Sequence, residues 1–371
     1  SGGGNFNAAG TWSLSSNGPA DGTVPTANDD IYLDGFSGNL TITAVAVCRS
    51  IDCTGYTGTL THNAAVTLTI GSFKTATRTT LLKFVPGMTY TLGNAATSAI
   101  SFTSTYPITQ YIDFGGKTTG NVTYNSGTGN VTWVLNSAHT VDPSATVTLS
   151  GGFLDLNSQT MSWGRFNSNT PAQRKLKLGS STITLTGSGA VTVWDFTTIS
   201  NLFFYPETST IIVSDTGVGL KTFIGGGVTF NNFTCSGDNI LITGSNIFNA
   251  FNVNNAALVN GLKLTAGTTQ KVTSFTTNGS AGNLAILKSG TGASAATITK
   301  TTGNVSVDYM SIQDITATTD GNAIWYAGAN STNVSGNTGW SFSVSAPSLR
   351  YWVVGGVNTN WSDSTNWSLT S

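Results

Sequence analysis

The groups able to do chemistry are few. The chain of 371 residues has two histidines, three cysteines and sixteen carboxylates, of which Glu207 is the only glutamate. His62 and His139 lie in no nucleophile or zinc motif. Acid–base work needs a positioned partner that the sequence does not indicate, so each reads as an exposed or hydrogen-bonded loop residue. Glycan cleavage uses two carboxylates about 5–10 Å apart. Asp113, Asp142, Asp155, Asp195, Asp215 and Asp308 could meet across neighbouring elements, yet many precede turn formers. There a carboxylate serves the backbone, and that reading leads. Asp29, Asp30 and Asp34 gather around the first expected strand, Asp30 and Asp34 on one face and Asp29 on the other. Such oxygen clusters admit calcium, but the spacing is not an EF-hand loop and a turn accounts for it. Cys48, Cys53 and Cys235 fall on apolar positions. The first two are roughly 16 Å apart in extended chain, too far for a bridge without a turn, so all three read as buried thiols. Gly225-Gly226-Gly227 lacks the Lys-Ser/Thr and helix of a phosphate loop. No catalytic residue and no cofactor is expected; calcium at the Asp cluster is the one ligand the residue types admit.

Composition bounds what could position any site. Net charge is −1, and only 8% of residues are charged, against about a quarter in ordinary soluble domains. Ser, Thr, Asn and Gly must hydrate the surface instead. The scarcity of Glu argues against long helices. The 44 glycines show no G-X-Y period, which excludes collagen. The basic residues are scattered, with Arg174, Lys175 and Lys177 the one local group, so a nucleic-acid partner is not expected. No apolar run approaches the roughly 20 residues of a membrane span, and no signal peptide is seen. The chain opens on Ser1, which predicts a processed chain or an excerpt.

Alternation with period two recurs throughout. Val66, Leu68 and Ile70 alternate with Thr67 and Thr69, and Ile183 and Leu185 with Thr182, Thr184 and Thr186. Runs of this kind ending at Gly, Asn, Ser or Asp predict half-buried strands and turns. Residues 246–260 come nearest to a helical period, but are too rich in Asn for one. Six segments share apolar-x-x-apolar-x-apolar, with Thr277 an imperfect last member of its segment. They begin at Cys48, Ile199, Phe230, Phe248, Val272 and Val307; the last five are centred at 202, 233, 251, 275 and 310. Those steps are of the order of one solenoid coil, and the x-x step reads as a bend at a coil corner. A Greek-key sandwich is the rival.

The clearest repeat joins the two ends. Residues 5–16 read NFNAAGTWSLSS, and residues 360–371 read NWSDSTNWSLTS. Asn5 matches Asn360, Phe6 matches Trp361, Trp12 matches Trp367 and Leu14 matches Leu369, at an offset of 355 residues (367 less 12). The second copy is preceded by Tyr351-Trp352-Val353-Val354-Gly355-Gly356. One unit is expected over 1–345, with 346–371 a linker and the start of the next unit or a subunit-joining segment. The subunit-joining candidates are Phe6, Trp12, Leu14, Tyr351, Trp352, Trp361, Trp367 and Leu369. Trp325 and Trp340 flank the unit's close. A solenoid must cover its open ends, so the tryptophans read as end seals before sugar platforms.

The Tyr351-Trp352-Val353 string with Gly355-Gly356, Trp361 and Asn366-Trp367-Ser368 resembles the opening motif of repetitive β-solenoid surface proteins, among them phage fibre or structural proteins and autotransporter-like adhesins. Val24-Pro25-Thr26-Ala27-Asn28-Asp29-Asp30 is similar to the continuation of such openings. The stretches 325–331 and 336–340 are similar to the close of phage-associated units. The resemblance implies an all-β parallel β-helix (solenoid) with irregular coils, and carries over no catalytic residue. The N-terminal stretch is the place where an antiparallel β cap is expected. The expected function is a structural or adhesive unit of an extracellular or virion fibre, not an enzyme. Its partners would be copies of itself and, secondarily, host-surface glycan. A glycan-binding or polysaccharide-degrading tailspike on the same fold is the alternative.

Overall fold

The structure is a computed structural model that describes residues 3–71, 79–127, 130–321, 323–343, 351–352, 360–361 and 366–368. It is nearly all β, built from long parallel sheets, with a short 3-10 turn at Ala9–Thr11. Each coil lays down one strand per face and then climbs to the next. Asp30–Tyr32, Leu40–Ile42 and Ala46–Cys48 form one coil; Ser50–Asp52, Thr59–His62 and Thr67–Ile70 form the next. Like faces stack in register, with Ile31 beside Ile51, Leu40 beside Leu60 and Ala46 beside Leu68. The first face runs through eight strands from Asp30–Tyr32 to Leu202–Tyr205. The third runs through thirteen, from Ala46–Cys48 to Thr332–Ser335. The middle face holds four strands ending at Thr89–Leu92, then ten from Thr118–Thr119 to Ile315–Thr319. Parallel pairing along the shaft excludes the Greek-key sandwich, whose strands are antiparallel.

The period-two alternation becomes the inside and outside of this tube. In Thr67–Ile70 and Thr182–Leu185 the Leu and Ile side chains are buried and the threonines half-buried outside. Coils differ in length because loops bulge between strands. Leu68 lies beside Ile100 on the third face, while Val147 lies beside Phe166, coils of 32 and 19 residues. The inner rows are packed with aromatics that stack from coil to coil. Phe166, Trp194 and Phe223 follow one another at ring distances of 4.5 and 5.8 Å. Phe233, Phe251 and Phe275 do the same on the middle face at 5.6 and 6.1 Å. Burial of apolar area at about 25 cal/mol per Å² thus accumulates coil by coil.

The x-x step is a bend, as its break in alternation predicts. Thr229–Cys235 buries Phe230, Phe233 and Cys235, and Ile247–Val253 buries Phe248, Phe251 and Val253. Apolar residues on both sides of the step point inward, so the strand turns a corner without leaving its ladder. Three expectations need correction. The steps from 233 to 251 to 275 are true coils in one register. The neighbouring steps are not, because Leu202 lies on the first face and Met310 on the third. Ile199 is 44% exposed, since it lies in the turn before Leu202–Tyr205 and not on that strand, its carbonyl accepting from Leu202 N–H at 3.1 Å. The N-terminal stretch is not an antiparallel cap: Gly4–Asn5 pairs in parallel with Leu40–Thr41. The antiparallel strand pair described lies at the other end, between Tyr351–Trp352 and Trp367–Ser368.

Candidate end-joining site

The chemically able groups are absorbed by the scaffold. Asp113, Asp142, Asp155 and Asp195 each accept the backbone N–H two residues on, at 2.8 or 2.9 Å, in Asx turns that close strands. Asp215 pairs with the buried Lys221 at 3.0 Å, and Asp308 accepts from Asn330 N at 2.9 Å and Nδ2 at 2.7 Å. At the N-terminal cluster, Asp30 binds the Arg49 guanidinium and Ser50, Asp29 accepts from Thr26, and Asp34 accepts from Ser16, Phe36 and Ser37. Among the described residues no group of three His, Cys, Asp or Glu is placed to hold a metal ion.

The histidines depart from expectation. Both lie on strands and are buried, because period-two alternation carries them inward. His62 contacts Tyr90 Oη at 2.8 Å and Val66 O at 3.0 Å. His139 stacks on Phe114 at 3.7 Å and reaches Thr119 Oγ1 at 2.9 Å. Burial lowers the pKa of each, that of His139 to about 3.

Cys48, Cys53 and Cys235 are buried free thiols. Burial pushes all three pKa values up, to about 12 for Cys53 and Cys235, so little nucleophilic thiolate exists at neutral pH. The expected result is that a maleimide reagent leaves the folded chain unlabelled over hours and labels all three thiols once urea unfolds it. Rapid labelling of the native chain, read by mass spectrometry, would contradict this burial.

The unspent features are at the ends. Phe6 is buried beneath the first coil and meets half-buried Trp12 edge-on, with ring centroids at 5.1 Å and planes at 72°. The Trp12 indole donates to the Phe6 carbonyl at 2.7 Å. Leu14, two residues on, is 92% exposed. Trp12 and Leu14 line a cleft of about 790 Å³, which exposed Tyr32 and Phe36 also line. At the opposite end Trp325 and Trp340 meet Phe275 at 5.7 and 6.1 Å and each other at 5.0 Å, closing the core. Trp325 donates to Thr318 O at 2.9 Å.

The same indole-to-carbonyl clasp occurs again in residues 361–367. Trp367 donates to the Trp361 carbonyl at 2.9 Å, and the two rings meet edge-on at 4.3 Å and 81°. Asn366 lies in a 3-10 turn, as its counterpart Thr11 does. The 355-residue offset therefore matches conformation as well as residue type. Trp352 adds a third ring, stacked on Trp361 at 6.3 Å and edge-on to Trp367 at 5.1 Å. One difference stands out: Phe6 is 1% exposed and Trp361 is 75% exposed. Phe6 lies below a coil, its backbone N–H bonded to Thr41 O at 2.8 Å. Tyr351 is described through its strand pairing alone, and Leu369 lies outside the described residues. The expected boundary at 345/346 lies outside the described residues; the last shaft strand described is Trp340–Ser341 and the next strand described is Tyr351–Trp352.

Sequence reasoning missed three buried cations, Arg174, Lys221 and Lys300. Arg174 had a usable signal: in Arg-Lys-Leu-Lys, alternation places it in the same inward row as Leu176. No helix among the described residues is long and apolar enough to cross a membrane. Comparison of the chain with family models, with curated proteins and with solved structures found no match.

Proposed function

We propose that the chain is a structural or adhesive unit of an extracellular or virion fibre, without catalytic activity, that assembles head to tail through its terminal segments. The observation that carries this reading is the clasp made twice, by Phe6 with Trp12 and by Trp361 with Trp367. A motif that opens a β-helix and returns after its last coil belongs to a chain whose units follow one another. Two further features support it. Net charge of −1 leaves little long-range repulsion between copies. The candidate carboxylates are bound up in turns and ion pairs, which favours a mechanical role over glycan hydrolysis.

Electron microscopy and sedimentation of the purified chain test this. End-to-end oligomers are expected, with an axial repeat of roughly 60 Å or a little more, from thirteen rungs at about 4.8 Å. Incubation with bacterial capsule or lipopolysaccharide should release no reducing ends. A strictly monomeric chain at every concentration, or one that liberates reducing ends, would overturn the proposal; the latter would favour the tailspike reading.

A further inference from the structure

The two copies of the end motif differ by one strand. In the second copy Tyr351–Trp352 pairs antiparallel with Trp367–Ser368, Tyr351 opposite Ser368 and Trp352 opposite Trp367. In the first copy the 355-residue offset puts Trp12 and Ser13 in those acceptor positions; among the described residues no strand pairs with them, and the Trp12 carbonyl is held by the Asp21 N–H at 2.9 Å. The second copy has three clustered rings, Trp352, Trp361 and Trp367. The first has two, Phe6 and Trp12, with Leu14 exposed beside them.

Resting on the fibre reading, we propose that copies join by exchanging this strand. Tyr351–Trp352 of one chain leaves its own Trp367–Ser368 and pairs antiparallel with Trp12–Ser13 of the next. Tyr351 then lies across from Ser13, and Trp352 beside Trp12, in the edge-on place it takes at Trp367; Phe6 is buried and offers it no face, so the exposed Leu14 supplies the rest of the contact. The occupant is a second copy of this chain because the acceptor is the same in both places: Trp-Ser-Leu, preceded at six residues by an aromatic whose carbonyl takes the indole N–H. Exchange replaces one two-residue strand pairing by another on a like sequence, at the further cost of any Asp21–Trp12 backbone bond it displaces, which keeps it a low-cost route between closed and linked forms. The bias toward linkage comes from the apolar surface waiting at the acceptor. Leu14, Tyr32 and Phe36 lose water only when something docks beside them.

Cysteine pairing tests the register directly. Residues opposite one another in an antiparallel pair have Cα atoms about 4.5–5.5 Å apart, within disulfide range. The three native thiols are buried and do not interfere. The full chain carrying both Ser13→Cys and Tyr351→Cys, mildly oxidised, is expected to give a ladder of disulfide-linked oligomers that collapses on reduction. Either single variant should stop at the dimer. A second measurement needs no disulfide. Trp367→Ala frees Tyr351–Trp352 and should speed end-to-end assembly, whereas Trp12→Ala removes the acceptor and should slow it, leaving the two at least tenfold apart. If the wild-type chain assembles end to end but the double variant forms no ladder, or both tryptophan variants slow assembly alike, strand exchange is wrong and the fibre reading stands. If the wild-type chain forms no end-to-end oligomer, the fibre reading falls first.

Discussion

Replacing Arg174 with leucine is expected to destabilise the chain by about 3–5 kcal/mol, the range seen when one member of a buried charged network is removed. Arg174 is buried in the inward row of Arg174–Lys177. Its guanidinium has backbone carbonyls for partners: Ser168 O at 2.8 Å from Nη2, and Ala172 O and Ser200 O at 3.0 and 2.9 Å from Nη1, with Thr198 O also accepting. Nε adds the Ser168 hydroxyl at 2.7 Å. The side chain thus ties two successive coil corners, 168–172 and 198–200. Leucine would fill part of the volume and leave those carbonyls without donors. Lysine would keep the charge but has no planar fork, and should recover less than half of the loss. Urea unfolding monitored by tryptophan fluorescence measures the change, and amide exchange should rise first across 168–205. A loss below 1 kcal/mol would mean that water replaces the guanidinium at those corners.

Acid should destabilise the chain well above the carboxylate range, through His139. Its imidazole is buried between Phe114 and Trp163, with Thr119 Oγ1 at 2.9 Å. Burial holds the folded pKa at about 3, while an unfolded histidine titrates near 6.5. The folded pKa is the lower one, so the unfolded chain takes up the proton first. The stabilising difference is whole above pH 6.5 and is lost as pH falls toward 3. At pH 4.5 that is about 2–3 kcal/mol, at roughly 1.4 kcal/mol per unit. His62, also lowered by burial, acts in the same direction. The carboxylates with lowered pKa, Asp21, Asp34, Asp238 and Asp308, contribute mainly below about 3.8, so the loss between pH 6.5 and 4.5 belongs to the histidines. In Asp238 burial alone would raise the value, but donors from Asn260 and Gly261 outweigh it. His139→Met, matching its ladder neighbour Met161, should flatten the urea midpoint between pH 7 and 4.5. An unchanged slope would refute the assignment to His139.

The alternation of Thr with Leu, Ile and Val was enough to read half-buried strands, because each strand declares its own inner face. That the strands stack in parallel was expected from the coil-length spacing and the resemblance, and only the pairing excludes the sandwich. The x-x step of 230–235 and 248–253 was legible for the same reason: a bend must bring two apolar residues inward across two polar ones. What a single strand cannot declare is its neighbour. Which residue of the next coil lies beside Trp194 depends on loop lengths of no fixed period, so the aromatic stacks were not foreseen. The histidines were misjudged on residue type alone; Thr59-Leu60-Thr61-His62 already had the alternation that carries His62 inward. The end motif was legible as a repeat of letters. That the letters also repeat a hydrogen bond, Trp12 to Phe6 and Trp367 to Trp361, needed coordinates.

The bent strands carry a consequence for where such a chain can change. A corner made inside Thr229–Cys235 or Ile247–Val253 has no loop; Ile247–Val253 is paired with the coils on either side both before and after its bend, and Thr229–Cys235 with the following coil. An added residue there would throw one half of the strand out of step and turn its phenylalanines to water. Segments such as 216–219 and 279–283, between strands, bear no such constraint. Divergence among related chains, and any foreign epitope grafted for display, should collect at those soft corners, while the hard corner stays fixed in length.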